Sequence, residues 1–138
     1  ASEAHVERSI IGEGTEIYGE VINSVIGAGV TIGKGTVVRD SIIMKNTTIG
    51  ENCTIDKAII AEEVEISDGV VMGIGEEVPN KVQPKIYSFG LVTIGENSYI
   101  PPNVKIGKNT AIAGDTTPDD YNEGVLASGE TLIKVGER

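Results

Sequence analysis

The chain has 138 residues and a formal net charge of −10, with 18 Gly, four Tyr, one Phe, one Cys, one His and no Trp. That length suits one domain able to bury its own core. A single Cys excludes a disulfide framework and a Cys-based zinc site, and the acidic balance argues against nucleic acid and anionic membrane partners.

The opening Ala1-Ser2-Glu3-Ala4-His5 is polar and acidic, with no signal-peptide pattern, and its lack of a Met start fits a fragment. No apolar run approaches the roughly 18 residues of a membrane span. His5 precedes the first clear hexad and reads as a surface residue rather than a general base.

A repeat begins at Ile11 and Ile17. Ser24-Val25-Ile26 recurs as Ser41-Ile42-Ile43 and as Ala58-Ile59-Ile60, 17 residues apart each time. Large apolar residues follow in steps of six, six and five: Ile26, Ile32, Val38, then Ile43, Ile49, Ile55, then Ile60, Ile66, Met72. Three positions after most of them stands Gly or Asn, as at Gly29, Gly35, Asn46, Asn52 and Gly69, with Glu63 the exception. One position further on stands a small or β-branched residue such as Val30, Thr36, Thr47 or Cys53.

Apolar residues four apart on an extended segment, separated by a residue tolerant of positive φ, predict a short side, a corner and another short side. Three sides close a triangular coil of 17–18 residues. Coils stacked at the strand spacing of about 4.8 Å bury a continuous core, and five or six fit the chain. Helix is a poor alternative, since steps of six leave one helical face and Gly with β-branched residues are weak helix formers. The predicted class is all-β, a parallel β-helix with coils over 9–72 and 92–113. Cys53, at an inward position, reads as core packing rather than a nucleophile.

Residues 73–91 break the period and carry Pro79, Pro84, Tyr87 and Phe89. They predict an extruded loop, either covering the prism or docking another domain or subunit. The tail 114–138 also leaves the repeat, and Thr131 to Val135 could form one last strand capping the open end.

Aligning the coils places Lys34 over Glu51, Arg39 over Asp56 and Asp40 over Lys57, which reads as ion pairing on a solvated face. The other reading gives Lys34, Arg39 or Lys45 to a phosphorylated small molecule. The pairs Glu62-Glu63 and Asp119-Asp120 point to opposite faces and make no convincing metal site. No phosphate-binding loop is present. The sequence therefore assigns no catalytic, cofactor-binding or metal-ligating residue. It leaves Lys34, Arg39, Lys45, Tyr87 and Phe89 as candidates for an effector or interface.

The runs Asn23-Ser24-Val25-Ile26-Gly27, Val38 to Met44, Lys57 to Ala61, Val92 to Asn97, Val104 to Asn109 and Ser128 to Ile133 resemble the C-terminal domain of the bacterial glucose-1-phosphate adenylyltransferases. The resemblance runs from about Val6 to Lys134. It implies a left-handed parallel β-helix. It also implies a cytoplasmic parent enzyme that makes ADP-glucose from ATP and glucose 1-phosphate, with Mg²⁺, for glycogen biosynthesis. In that family a preceding nucleotidyltransferase domain does the chemistry, and none of its motifs occurs here. The resemblance thus implies a non-catalytic regulatory and oligomerisation domain. Its partners would be its own catalytic domain, identical subunits in a homotetramer and a sugar-phosphate or nucleotide effector. The family's effector arginines have no match in this tail, which has only Lys134 and Arg138. A stand-alone hexapeptide acyltransferase, a non-catalytic regulatory paralogue and a plain scaffold remain as alternatives.

Overall fold

A computed structural model describes residues 4–134. Its strands are two to four residues long and form three parallel sheets. Sheet A stacks His5–Glu7, Glu20–Ile22, Val37–Arg39, Thr54–Asp56, Val71–Ile74, Lys105–Gly107 and Val125–Leu126. Sheet B stacks Ile10–Ile11, Val25–Ile26, Ile42–Ile43, Ala58–Ile60, Val92–Ile94, Thr110–Ala113 and Thr131–Ile133. Sheet C stacks Glu16–Ile17, Thr31–Ile32, Thr48–Ile49, Glu65–Ile66 and Tyr99–Ile100. The chain visits A, B and C in turn, so each circuit is one coil of a parallel β-helix.

The apolar ladders carry the core. Ile26 lies in register with Ile43 and Ile43 with Ile60, while Ile32, Ile49 and Ile66 stack on sheet C. All are at most 1% exposed. Each fully buried Ile contributes about 1.5–3 kcal/mol relative to an exposed one. The recurring Ser has its own role at the corner between sheets A and B. Ser24 N–H donates to Ser9 Oγ at 3.0 Å, Ser41 N–H to Ser24 Oγ at 3.1 Å and Ala58 N–H to Ser41 Oγ at 3.1 Å. A hydroxyl one coil back thus satisfies an amide that the ladder leaves over.

The other corners turn at the predicted Gly and Asn, with Asn46 and Asn52 at φ 59° and 57°. Gly35, at φ 74°, also lies beneath Asn52, whose Oδ1 would be 2.3 Å from any Cβ built there. Glu63 takes φ 59° despite its Cβ. The corner between sheets A and B is one residue shorter, which explains the step of five. It places Arg8, Asn23, Asp40 and Lys57 at φ between 48° and 53°.

The coil number needs correction: two sheets have seven strands, not the five or six coils that the hexad spacing suggests. His5–Glu7 adds a level at the start by pairing with Glu20–Ile22. Within the tail, Val125 and Leu126 pair with Lys105 and Ile106, and Thr131–Ile133 pairs with Ala111–Ala113. Val135 and Arg138 lie outside the described residues. Ahead of those tail strands, Thr116 and Tyr121 bury their hydroxyls against each other at 2.8 Å, and burial pushes the Tyr121 phenol up to about 12.

Candidate functional site

The predicted cations are not brought together. Lys34 sits at the corner between sheets C and A, Arg39 ends a strand of sheet A, and Lys45 sits at the corner between sheets B and C. All three are exposed, on three different edges of the prism. Arg39 lies in register with Asp56, and its Nη2 is 3.9 Å from Asp56 Oδ2. An exposed pair at that distance adds little stability. Asp40 accepts from Asn23 Nδ2 at 2.7 Å, and Asp68 Oδ1 from the Glu51 N–H at 2.8 Å. These carboxylates tie coils to one another. Lys34 lines a groove of about 430 Å³ with Tyr18 and Glu51 on the outer side of sheet C. A second groove, of about 520 Å³, lies on the same side near the far end, between Glu65, Tyr99, Pro101, Pro102 and Asp115.

His5 is exposed on the first strand of sheet A, with Nε2 3.7 Å from Glu7 Oε2. Cys53 is 1% exposed; burial pushes its thiol up, and its Sγ donates to the Ser67 carbonyl at 3.2 Å. Asp120 accepts from Thr117 N–H at 2.7 Å and from Lys134 Nζ at 3.1 Å. Those partners, the Thr117 amide first, hold its carboxyl below the usual range. Among the described residues, no group of three or more His, Cys, Asp or Glu could hold a metal ion. Nor is any helix among them long and apolar enough to cross a membrane.

The interruption after Ile74 is the least periodic feature, and two buried asparagines clamp it. Asn80 is 2% exposed; its Nδ2 donates to the Asn109 carbonyl at 2.9 Å and to Thr131 Oγ1 at 3.0 Å. Its Oδ1 accepts the Val82 and Gln83 amides, both at 2.9 Å. Asn109 returns the grip, donating to the Val78 carbonyl and accepting the Gly90 amide, both at 2.8 Å. The loop base therefore lies against the far end of sheet B. Beyond that base, Val82, Ile86 and Phe89 are exposed and Tyr87 is half-buried. Phe89 is held at φ 61°, a left-handed conformation that bulky side chains resist. Sequence reasoning missed Asn80 and Asn109 as a pair, because neither their spacing nor their partners recur.

Proteins named glucose-1-phosphate adenylyltransferase are similar along this whole stretch. That of Lachnospira eligens is 59% identical over 137 residues, covering 99% of this chain and 32% of the relative. That of Thermotoga neapolitana is 51% identical over 133 residues, covering 96% of this chain and 31% of the relative. The chain thus spans about a third of the length of these curated relatives and matches their C-terminal part. The solved acetyltransferase domain of PglB from Neisseria gonorrhoeae FA1090 aligns at TM-score 0.33 and 20% identity, over 97% of this chain and 49% of that one. That superposition is too loose to argue from. The family described as "GlmU-like, C-terminal hexapeptide" matches residues 1–94, the span that holds the regular coils before the loop and the first strand after it. With that match and the three stacked sheets of hexad coils, the chain belongs to the GlmU-like C-terminal hexapeptide family.

Proposed function

We propose that this chain is the non-catalytic regulatory and assembly domain of a cytoplasmic glucose-1-phosphate adenylyltransferase, which makes ADP-glucose from ATP and glucose 1-phosphate for glycogen biosynthesis. The observation that carries the reading is the 59% identity over 99% of the chain to the C-terminal third of a protein of that name. The described residues include no acidic cluster fit for Mg²⁺, and the candidate cations lie on separate edges. ATP and Mg²⁺ belong to the part of such a protein outside this chain, and no step is assigned to residues here.

Regulation would work by coupling. An effector or a neighbouring subunit that binds one packing of the prism better than another shifts the protein toward that packing and so changes substrate affinity. The groove beside Lys34 gives a phosphorylated effector one cation, with Glu51 opposing it. The test removes this domain from the full-length protein. The expected result is loss of the homotetramer and of the response to phosphorylated effectors. A truncated enzyme that keeps its native mass and its effector response would refute the reading.

A further inference from the structure

The outer side of sheet C ends in a groove whose charge is one-sided. Ile66 and Ile100 lie in register and point into the core, so their neighbours Glu65 and Tyr99, also in register, face outward. Beyond them Tyr99 pairs with Asp115 in an isolated parallel bridge. Glu65, Tyr99 and Asp115 therefore stand in one row at three successive levels, a phenol between two carboxylates. With Pro101, Pro102 and Pro118 they line the groove of about 520 Å³.

The row is held from beneath. Glu65 N–H donates to the Ser98 carbonyl at 2.9 Å. Thr116 is 1% exposed and donates twice to the Tyr99 carbonyl, from its N–H at 3.2 Å and from its hydroxyl at 2.7 Å, which fixes Asp115 beside Tyr99. Ser67 Oγ, on the Glu65 level, donates to the Tyr99 hydroxyl oxygen at 3.0 Å. That bond draws the phenol back along the sheet toward Glu65. Tyr99 stays half-buried and borders the groove.

What the groove lacks selects its ligand. None of its lining residues is Lys, Arg or His. Among the described residues Glu65 and Asp115 form no ion pair, whereas Glu7, Asp56, Asp120 and Glu130 each face a cation. An anionic ligand would be repelled. Carboxylates only accept, an aromatic face attracts a cation, and the proline rings offer apolar surface to methylenes. The net charge of −10 adds a long-range pull on cations. Spacing narrows the choice further. At a strand spacing of about 4.8 Å, Glu65 and Asp115 stand about 10 Å apart along the row, with Tyr99 midway. At about 1.2 Å per bond of an extended chain, amines separated by three or four methylenes lie about 5–6 Å apart, close to one level of the stack.

We propose that this groove binds a linear aliphatic polyamine of three ammonium groups. The terminal ammoniums sit on Glu65 and Asp115, the central one lies over the Tyr99 ring, and the methylenes run against Pro101, Pro102 and Pro118. The site is separate from the groove beside Lys34 and takes ligands of the opposite charge. It does not depend on the adenylyltransferase reading.

The test titrates spermidine into the 138-residue chain at physiological ionic strength. Calorimetry reads the affinity, and amide NMR shifts read the location. The expected result is saturable one-to-one binding, with shifts at Glu65, Tyr99 and Asp115. Glu65 and Asp115 are exposed, so Glu65→Gln and Asp115→Asn should leave the fold standing. Each should weaken binding about three- to fivefold, and the pair together about tenfold or more. Glu16→Gln, in the same outward register at the other end of sheet C, should change nothing. Putrescine, too short to reach all three levels, should bind more weakly than spermidine. No saturable binding at millimolar spermidine would overturn the proposal. Equal weakening by Glu16→Gln would do so too, because it would mark diffuse attraction to the net charge. Putrescine binding as tightly as spermidine would refute the three-level match. Tighter binding of a neutral oligosaccharide, lost in the same variants, would give the groove to a polyol and overturn the proposal as well.

Discussion

Replacing Asn80 with Ala tests whether the loop is held from its base. The side chain is buried and joins two segments that meet nowhere in the repeat: the loop start, through the Val82 and Gln83 amides, and the far end of sheet B, through the Asn109 carbonyl and Thr131. Val82 and Gln83 are exposed, so water can take over their amides once the loop loosens. The Asn109 carbonyl stays buried and would lose this donor. At about 1 kcal/mol for each replaceable bond and somewhat more for the buried carbonyl, the loss is about 2–3 kcal/mol, felt locally. Native-state hydrogen exchange should show the Val82, Gln83 and Gly90 amides exchanging about 30- to 150-fold faster. Amides of the ladders at Ile32, Ile43 and Ile49 should keep their protection, because local opening does not require the coils to separate. Unchanged loop exchange in Asn80→Ala would refute the clamp. Equal acceleration in loop and coils would show that the loop is part of the global unit.

Other outcomes follow from the same geometry. Ile49→Ala, midway along the sheet C ladder and 1% exposed, should lower unfolding stability by about 2–5 kcal/mol in chemical denaturation. A loss below about 1 kcal/mol would mean that the ladder is not close-packed. The Cys53 thiol, buried and pushed up, should stay unmodified by alkylating reagents in the native chain and react only on unfolding; rapid native modification would contradict its inward placement. The Asp120 carboxyl is lower when folded than when unfolded, so its contribution is complete above the ordinary carboxylate range and is lost as pH falls through the lowered value. Asp120→Asn should therefore lower the urea midpoint near neutral pH and flatten its fall below about pH 4. Parallel curves for the two proteins would show that the Thr117 and Lys134 contacts do not stabilise the fold.

Periodic features were legible in the sequence, and single ones were not. Ile26, Ile43 and Ile60 could be stacked from their 17-residue offset because each residue recurs in the same role, and the structure places them in one register. Corners at Asn46, Asn52 and Gly69 could be read because those residue types mark positive φ. Arg8, Asp40 and Lys57 take the same conformation without such a mark: the short corner imposes it, and the stacked coils hold it. The first and last strands of sheet A escaped because hexad spacing does not extend to His5–Glu7 or Val125–Leu126, whereas the final strand at Thr131–Ile133 was legible from its apolar run. At the candidate site, the register of Arg39 over Asp56 was readable, but the separation of Lys34, Arg39 and Lys45 required knowing which corner each occupies.

The most direct measurement is synthesis of ADP-glucose from ATP and glucose 1-phosphate by the full-length gene product, beside the 138-residue chain under the same conditions. Turnover is expected from the full-length protein and none from this chain. A gene product no longer than this chain, or a full-length protein that forms no ADP-glucose, would contradict it.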